Sequence, residues 1–211
     1  MAAYIIVAII AYLIGSINFS IIISKKLAGF DVRQKGSGNA GTTNVLRSVG
    51  KKAALITLIC DILKGVVAIG IALLVGNIVQ NVDKALLVQL AGIFVVVGHT
   101  FPIFFGFKGG KGIATSLGIL LMTNWQIGLI CLVFALVLMA ITRMVSVGSI
   151  AAAILFPVLV IFIDQNYIVP DANNWKYLIF SIVLCLIVLF NHRENIKRIL
   201  NGTENKISFK K

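Results

Sequence analysis

The chain has 211 residues, of which 59% are hydrophobic, and a formal net charge of +12 although only 12% are charged; its mean hydropathy is +1.03. A soluble domain of this length could not cover that much apolar surface, so the composition specifies an integral membrane protein. The bases cluster at the ends of apolar runs, which fits orientation by the positive-inside rule and excludes a nucleic-acid binder. Cys60, Cys131 and Cys185 all lie inside apolar runs and form neither a disulfide framework nor a metal-ligand spacing.

The N-terminus, Met1-Ala2-Ala3-Tyr4, has no basic flank, and the apolar run continues to residue 24. That predicts a first transmembrane helix over 3–24 rather than a removable signal peptide. Gly15, Ser16 and Asn18 within it are small or polar and should face neighbouring helices, with Ser16 reading as a packing seam. Residues 25–52 form the longest polar stretch, with seven bases and Asp31 as the one acid, a cytoplasmic signature. A second span is predicted over 51–76. Asp61 and Lys64, three residues apart, share one of its faces, which reads as a mutually neutralising structural pair close to the site. A base-free turn over 77–83 leads to a third span over 84–105.

The loop Phe107-Lys108-Gly109-Gly110-Lys111-Gly112 follows, with three glycines and two lysines in six residues. Glycines let backbone N–H groups approach an anion closely, and a helix start after such a loop makes a phosphate cradle; a solvated basic turn between two spans is the other reading. The apolar run 112–142 is long for one span and short for two. Asn124-Trp125-Gln126 divides it into a short fourth helix over 112–122 and a fifth over 125–141. A sixth helix over 147–163, an outer loop over 164–174 and a seventh helix over 175–190 precede the basic tail 191–211. The predicted fold is therefore all-α, one polytopic domain over 1–211 with seven transmembrane helices, the N-terminus outside and the C-terminus cytoplasmic. With that topology every Lys and Arg except Lys64, Lys84 and Lys176 is cytoplasmic.

Three cytoplasmic constellations could carry chemistry. Residues 35–47 alternate glycines with Ser37, Asn39, Thr42, Thr43 and Asn44 and end in Arg47, whose guanidinium matches phosphate or carboxylate. Residues 99–116 contain the glycine loop but lack the spacing of a nucleotide P-loop and any acidic partner for magnesium, which points to phosphate capture without a metal. His99 within them is read equally as a helix-end histidine and as a site residue. Residues 191–198, followed by Glu204, hold His192, which reads as a basic flank or as an acid, base or donor. Ser146 and Ser149, three apart, read as seam residues.

The blocks Gly36-Ser37-Gly38-Asn39-Ala40-Gly41-Thr42-Thr43-Asn44, Gly98-His99-Thr100-Phe101-Pro102 with Lys108-Gly109-Gly110-Lys111-Gly112-Ile113-Ala114-Thr115, and His192-Arg193-Glu194-Asn195-Ile196 together resemble the bacterial acyl-phosphate:glycerol-3-phosphate acyltransferases of the PlsY type. Asp61-Ile62-Leu63-Lys64-Gly65 matches a recurrent feature of that family. Asn18, where the family often has proline, and Thr42, where it often has alanine, depart from it without removing an ionisable group. The resemblance implies transfer of a fatty acyl group from acyl phosphate to the 1-hydroxyl of sn-glycerol 3-phosphate, the first acylation of bacterial phospholipid synthesis, in the cell membrane with the site on the cytoplasmic side. It implies Ser37, Arg47, His192 and Asn195 as catalytic or substrate-orienting. Asn39, Thr43, Asn44, His99, Lys108, Gly109, Gly110, Lys111, Gly112, Thr115 and Ser149 are implied as substrate-binding, the glycine loop for glycerol phosphate. Asp61, Lys64 and Glu204 are structural. No cofactor or metal is called for. Expected partners are the two substrates, the lipid bilayer and an enzyme that supplies acyl phosphate; nothing in the sequence specifies an oligomeric state. The general base stays open between His192, His99 and a substrate phosphate. An organophosphate transporter is the rival from another class, disfavoured because no broken helices recur in matching halves; a lipid phosphotransferase would call for acids to hold magnesium.

Overall fold

A computed structural model describes residues 1–163 and 174–207, and all regular elements among them are helical. The expected outer loop lies outside the described residues except for residue 174, as do the last four residues of the tail.

The chain forms two compact units, Met1–Thr123 and Asn124–Lys211. The first contains α1 (Ala2–Ser16), α2 (Phe19–Ala28), α3 (Thr42–Ser48), α4 (Lys51–Ile78), α5 (Lys84–Thr100) and α6 (Ile113–Thr123). The second contains α7 (Trp125–Thr142), α8 (Val145–Phe162), α9 (Asn174–Asn191) and α10 (Arg193–Leu200). Among the described residues, five helical segments are long and apolar enough to cross a membrane, Ala2–Ala28, Lys51–Ile78, Lys84–Phe105, Trp125–Thr142 and Val145–Phe162; the pair α9 and α10, bent by 61°, makes a sixth if taken as one span. The eleven residues of α6 reach only about 16 Å, half the hydrocarbon thickness of about 30 Å.

The first span, expected as one helix over 3–24, is not continuous. It breaks at Ile17 and Asn18, both extended. Asn18 caps α2 by accepting from the Ile21 N–H at 3.1 Å, so its side chain competes with the helical ladder at that point. A break inside a membrane frees carbonyls that some neighbour must satisfy. Here Lys64 does so: its Nζ donates to Gly15 O at 3.2 Å and Ile17 O at 3.1 Å.

Close helix crossings surround that point. A Cβ on Gly15 would overlap the Val95 carbonyl and one on Gly98 the Tyr12 carbonyl, so α1 and α5 touch backbone to backbone. Gly65 and Gly118 stand in the same relation between α4 and α6. Small residues of this kind let membrane helices pack without a hydrophobic driving force.

The polar stretch 25–52 is folded rather than a loose connection. Val32, Ala40 and Val45 are buried with Ile21, Ile23, Ala53 and Ala54 in a small apolar cluster under α3. That cluster fixes the turns carrying the first candidate block.

Candidate active site

In the first unit, the serine block is organised by one side chain. Asn44, 1% exposed, donates from Nδ2 to Val32 O at 2.9 Å and to Lys35 O and Asn39 O at 3.0 Å each. Its Oδ1 accepts from the Ser37 N–H at 3.0 Å. The amide expected to touch substrate is thus engaged by four backbone groups of its own loop. Gly36 and Gly38 flank Ser37 with φ of +62° and +72°, a region open chiefly to glycine. At Gly36 a Cβ would also overlap Asn44 Oδ1. The turn so held presents Ser37 to the exterior, and Arg47 is exposed one helical turn beyond Asn44. Asn39 and Thr43 are half-buried beside it.

Arg33, which the sequence reading passed over, ties this block to the glycine loop. Its guanidinium pairs bidentately with Asp31, Nε to Oδ1 at 3.0 Å and Nη2 to Oδ2 at 2.8 Å. Its Nη1 donates to Phe105 O at 2.7 Å and Lys108 O at 3.1 Å. The Arg33 hydrogen bond, outweighing burial, holds the Asp31 carboxyl below its ordinary range. The available signal was Asp31 itself, a lone acid among seven bases in residues 25–52.

The glycine loop closes over His99. Gly109 N donates to Thr100 O at 3.0 Å, Gly110 N to His99 O at 3.1 Å, and Ala40 N to Gly109 O at 3.4 Å. A Cβ on Gly110 would overlap the His99 ring at Nε2 and approach Ala40 O. The Gly109 and Gly110 amides are therefore turned inward. The donors suited to an anion are those of the first turn of α6, where N–H groups lack intrahelical partners, beside half-buried Lys111 and exposed Lys108. Gly112, with φ of +87°, lies against Val96. Thr115 is fully buried in α6, its carbonyl against Gly65.

Beneath the loop lies a buried charge cluster. Lys64 Nζ is 2.9 Å from Asp61 Oδ1 and 2.7 Å from His99 Nδ1. His99 Nδ1 also lies 3.6 Å from Asp61 Oδ1; with Lys64 as an ammonium, which can only donate, His99 Nδ1 accepts from it. The cluster joins the α1 break, α4, α5 and the glycine loop.

In the second unit, α9 and α10 meet at His192, which is 3% exposed. His192 Nδ1 lies 2.8 Å from Val188 O; a carbonyl accepts, so Nδ1 donates to it and fixes the ring's orientation. Glu204 gathers its neighbours: Oε1 accepts from Ser146 Oγ at 2.9 Å and Asn195 Nδ2 at 2.8 Å, and Oε2 from Arg198 Nε at 2.9 Å. The tail is pinned further by Ile207 N to Arg143 O at 2.7 Å. Ser149 is buried on α8.

A family model described as glycerol-3-phosphate acyltransferase matches residues 5–202. The chain is 46% identical to the glycerol-3-phosphate acyltransferase of Clostridioides difficile (strain 630) over 209 residues, 99% of this chain and 98% of that one. It is 44% identical to that of Thermoanaerobacter sp. (strain X514), over 96% of this chain and 95% of the relative. This chain belongs to the glycerol-3-phosphate acyltransferase family. Crystal structures of PlsY, an integral membrane glycerol 3-phosphate acyltransferase, superpose on it with TM-scores of 0.83 for the glycerol 3-phosphate form and 0.82 for the lysophosphatidic acid form. Sequence identity to these is 36% and 34%, and 97% of this chain is covered in both cases, against 96% and 95% of theirs. The acyltransferase is thus a multi-pass membrane protein of the PlsY type.

Glu204 gives this family member a pH dependence of stability. Burial disfavours its charge, but hydrogen bonds from Asn195, Ser146 and Arg198 outweigh it and hold the carboxyl below its ordinary value of 4.5. A lowered folded pKa means a stabilisation present above 4.5 and lost as pH falls through the folded value. Thermal midpoints of the wild type should therefore drop on acidification below 4.5. The Glu204→Gln protein should start lower at neutral pH and lose less over that interval; parallel curves for the two proteins would remove Glu204 from this role.

Proposed function

We propose that this protein transfers a fatty acyl group from acyl phosphate to the 1-hydroxyl of sn-glycerol 3-phosphate, giving 1-acyl-glycerol 3-phosphate and phosphate. The observation carrying the reading is the end-to-end likeness to PlsY solved in its glycerol 3-phosphate form. In the reaction the hydroxyl oxygen bonds to the acyl carbon, the carbon–oxygen bond to phosphate breaks, and the hydroxyl proton passes to a base. Acyl phosphate is already activated, so positioning and charge stabilisation supply most of what catalysis requires.

Lys111 and the first turn of α6 receive the glycerol phosphate, with Lys108 contributing charge. Arg47 and Ser37 orient the donor's phosphate and the attacked carbonyl, Ser37 as a hydrogen-bond partner rather than a nucleophile. Asn39 and Thr43 line the same turn. His99 is occupied on Nδ1 by Lys64 and covered on Nε2 by Gly110, which argues against it as the base. His192 and a phosphate oxygen of the donor are the remaining candidates for the base. Asn195 and Ser149 act with His192 in activity, and Glu204 orders the Asn195 side chain. The whole chain serves as one polytopic domain in the bacterial cell membrane, with seven membrane helices of which α6 is a partial span, the N-terminus outside and the site on the cytoplasmic face. Acyl phosphate comes from a separate enzyme.

Purified protein in detergent, given acyl phosphate and glycerol 3-phosphate without acyl-CoA, acyl carrier protein or magnesium, should form lysophosphatidate; no product would overturn the reading. In the same assay Lys111→Ala should raise KM for glycerol 3-phosphate by roughly 10- to 100-fold, the loss of one charged hydrogen bond. An unchanged KM would remove the loop from the glycerol phosphate site.

A further inference from the structure

The turn between α5 and the glycine loop is apolar where a solvated turn would be polar. Within residues 101–107, Phe101, Ile103, Phe104 and Phe107 are 42%, 47%, 60% and 55% exposed. They do not protrude through looseness. Pro102 O accepts from Phe105 N at 3.1 Å and Phe107 N at 3.0 Å, and Arg33 grips Phe105 O and Lys108 O from below. Tyr12 Oη donates to Phe101 O at 2.9 Å, and Ile103 N donates to Ser16 Oγ at 3.4 Å.

Gly106 and Phe107 are consecutively left-handed, with φ of +67° and +58°. A phenylalanine keeps that conformation only where its surroundings over-determine it. The strained backbone sends an aromatic ring outward instead of burying it. The position explains what would cover such a surface. The 17 residues of α5 extend about 26 Å, near the thickness of a hydrocarbon core. The turn that follows is therefore at the boundary between acyl chains and headgroups, where aromatic side chains are favoured. Lys108, exposed next to them, suits the anionic headgroup layer.

We propose that residues 101–107 are an interfacial anchor, inserted among lipid headgroups at the membrane face where α5 ends. Arg33 couples the anchor to the serine turn, so insertion fixes the depth of the glycine loop that follows. The occupant of this surface is lipid, not a soluble enzyme or a second copy of the chain.

The test uses the full chain with Trp125→Phe and Trp175→Phe, carrying Phe104→Trp or Phe107→Trp as its single tryptophan. It is reconstituted in phosphatidylcholine–phosphatidylglycerol vesicles. The expected result is a blue-shifted emission that lipids brominated near the headgroup quench and aqueous acrylamide quenches weakly. Strong acrylamide quenching with no effect of brominated lipid would show a solvated turn. Protection from both quenchers would show a protein occupant. Either result overturns the anchor. Ile103→Trp provides the same reading if Phe107→Trp does not fold. The measurement needs no substrate, so it stands or falls separately from the proposed reaction.

Discussion

Asn44→Asp should inactivate the enzyme as completely as Asn44→Ala, although it changes one NH2 group for an oxygen. The Asn44 side chain donates to three carbonyls and accepts one amide from residues 32–39. Alanine removes all four partners from a site with 1% exposure. Unpaired buried groups cost about 1–3 kcal/mol each, and with partial relaxation the net loss should be about 2–4 kcal/mol. Aspartate keeps the acceptor for Ser37 N but turns a negative oxygen toward three carbonyl oxygens, which is repulsive. In both variants the Ser37 turn loses its anchor, and a misplaced reacting group costs about 100-fold in rate. Initial rates of lysophosphatidate formation and thermal unfolding in detergent read the two effects. An Asn44→Asp enzyme keeping more than about a tenth of the wild-type rate would show that the side chain's role is a polar contact rather than the loop's geometry.

The second large effect concerns the cluster under the glycine loop, and its signature is an order. Lys64→Met should destabilise more than Asp61→Asn. Removing the ammonium leaves a buried carboxylate, an acceptor nitrogen on His99 and the Gly15 and Ile17 carbonyls without their donor. Breaking a buried pair in this way costs about 3–5 kcal/mol. Asp61→Asn leaves Lys64 with His99 and both carbonyls, so part of its solvation survives. The double variant Asp61→Leu with Lys64→Met should recover stability relative to Lys64→Met alone, because no isolated charge remains, without reaching wild type, because the helix break keeps its open carbonyls. Thermal midpoints of the wild type, the two single variants and the double variant read that order. If Asp61→Asn is the more damaging single change, the lysine does not act as the clamp on the broken helix.

Much of this protein could be read along the chain. The apolar periodless runs, the short stretch before Asn124 and the glycine loop all appear as helices and turns within a few residues of their predicted limits, because membrane spans are set by local composition and length. Asp61 and Lys64 could be paired from their spacing, since three residues on a helix is a contact distance. Other features escaped. The first span looked continuous because its hydropathy is continuous; the break at Asn18 is tolerated only because a lysine from α4 arrives beside it. Asn44 reads from the sequence as a substrate-binding residue, and Arg33 as one more base.

The sequence by itself determined the membrane setting, the helical stretches and the residue types brought to the site. These depend on transfer energies and propensities of neighbouring residues. Only the tertiary structure decided which polar groups face outward and which are engaged from within. It turned the Gly109 and Gly110 amides toward His99 and Thr100, gave the Asn44 amide to its own loop, and placed Arg33 across to the carbonyls of Phe105 and Lys108. The reason is physical: a buried donor must find an acceptor, and that acceptor can lie dozens of residues away, where no local pattern records it.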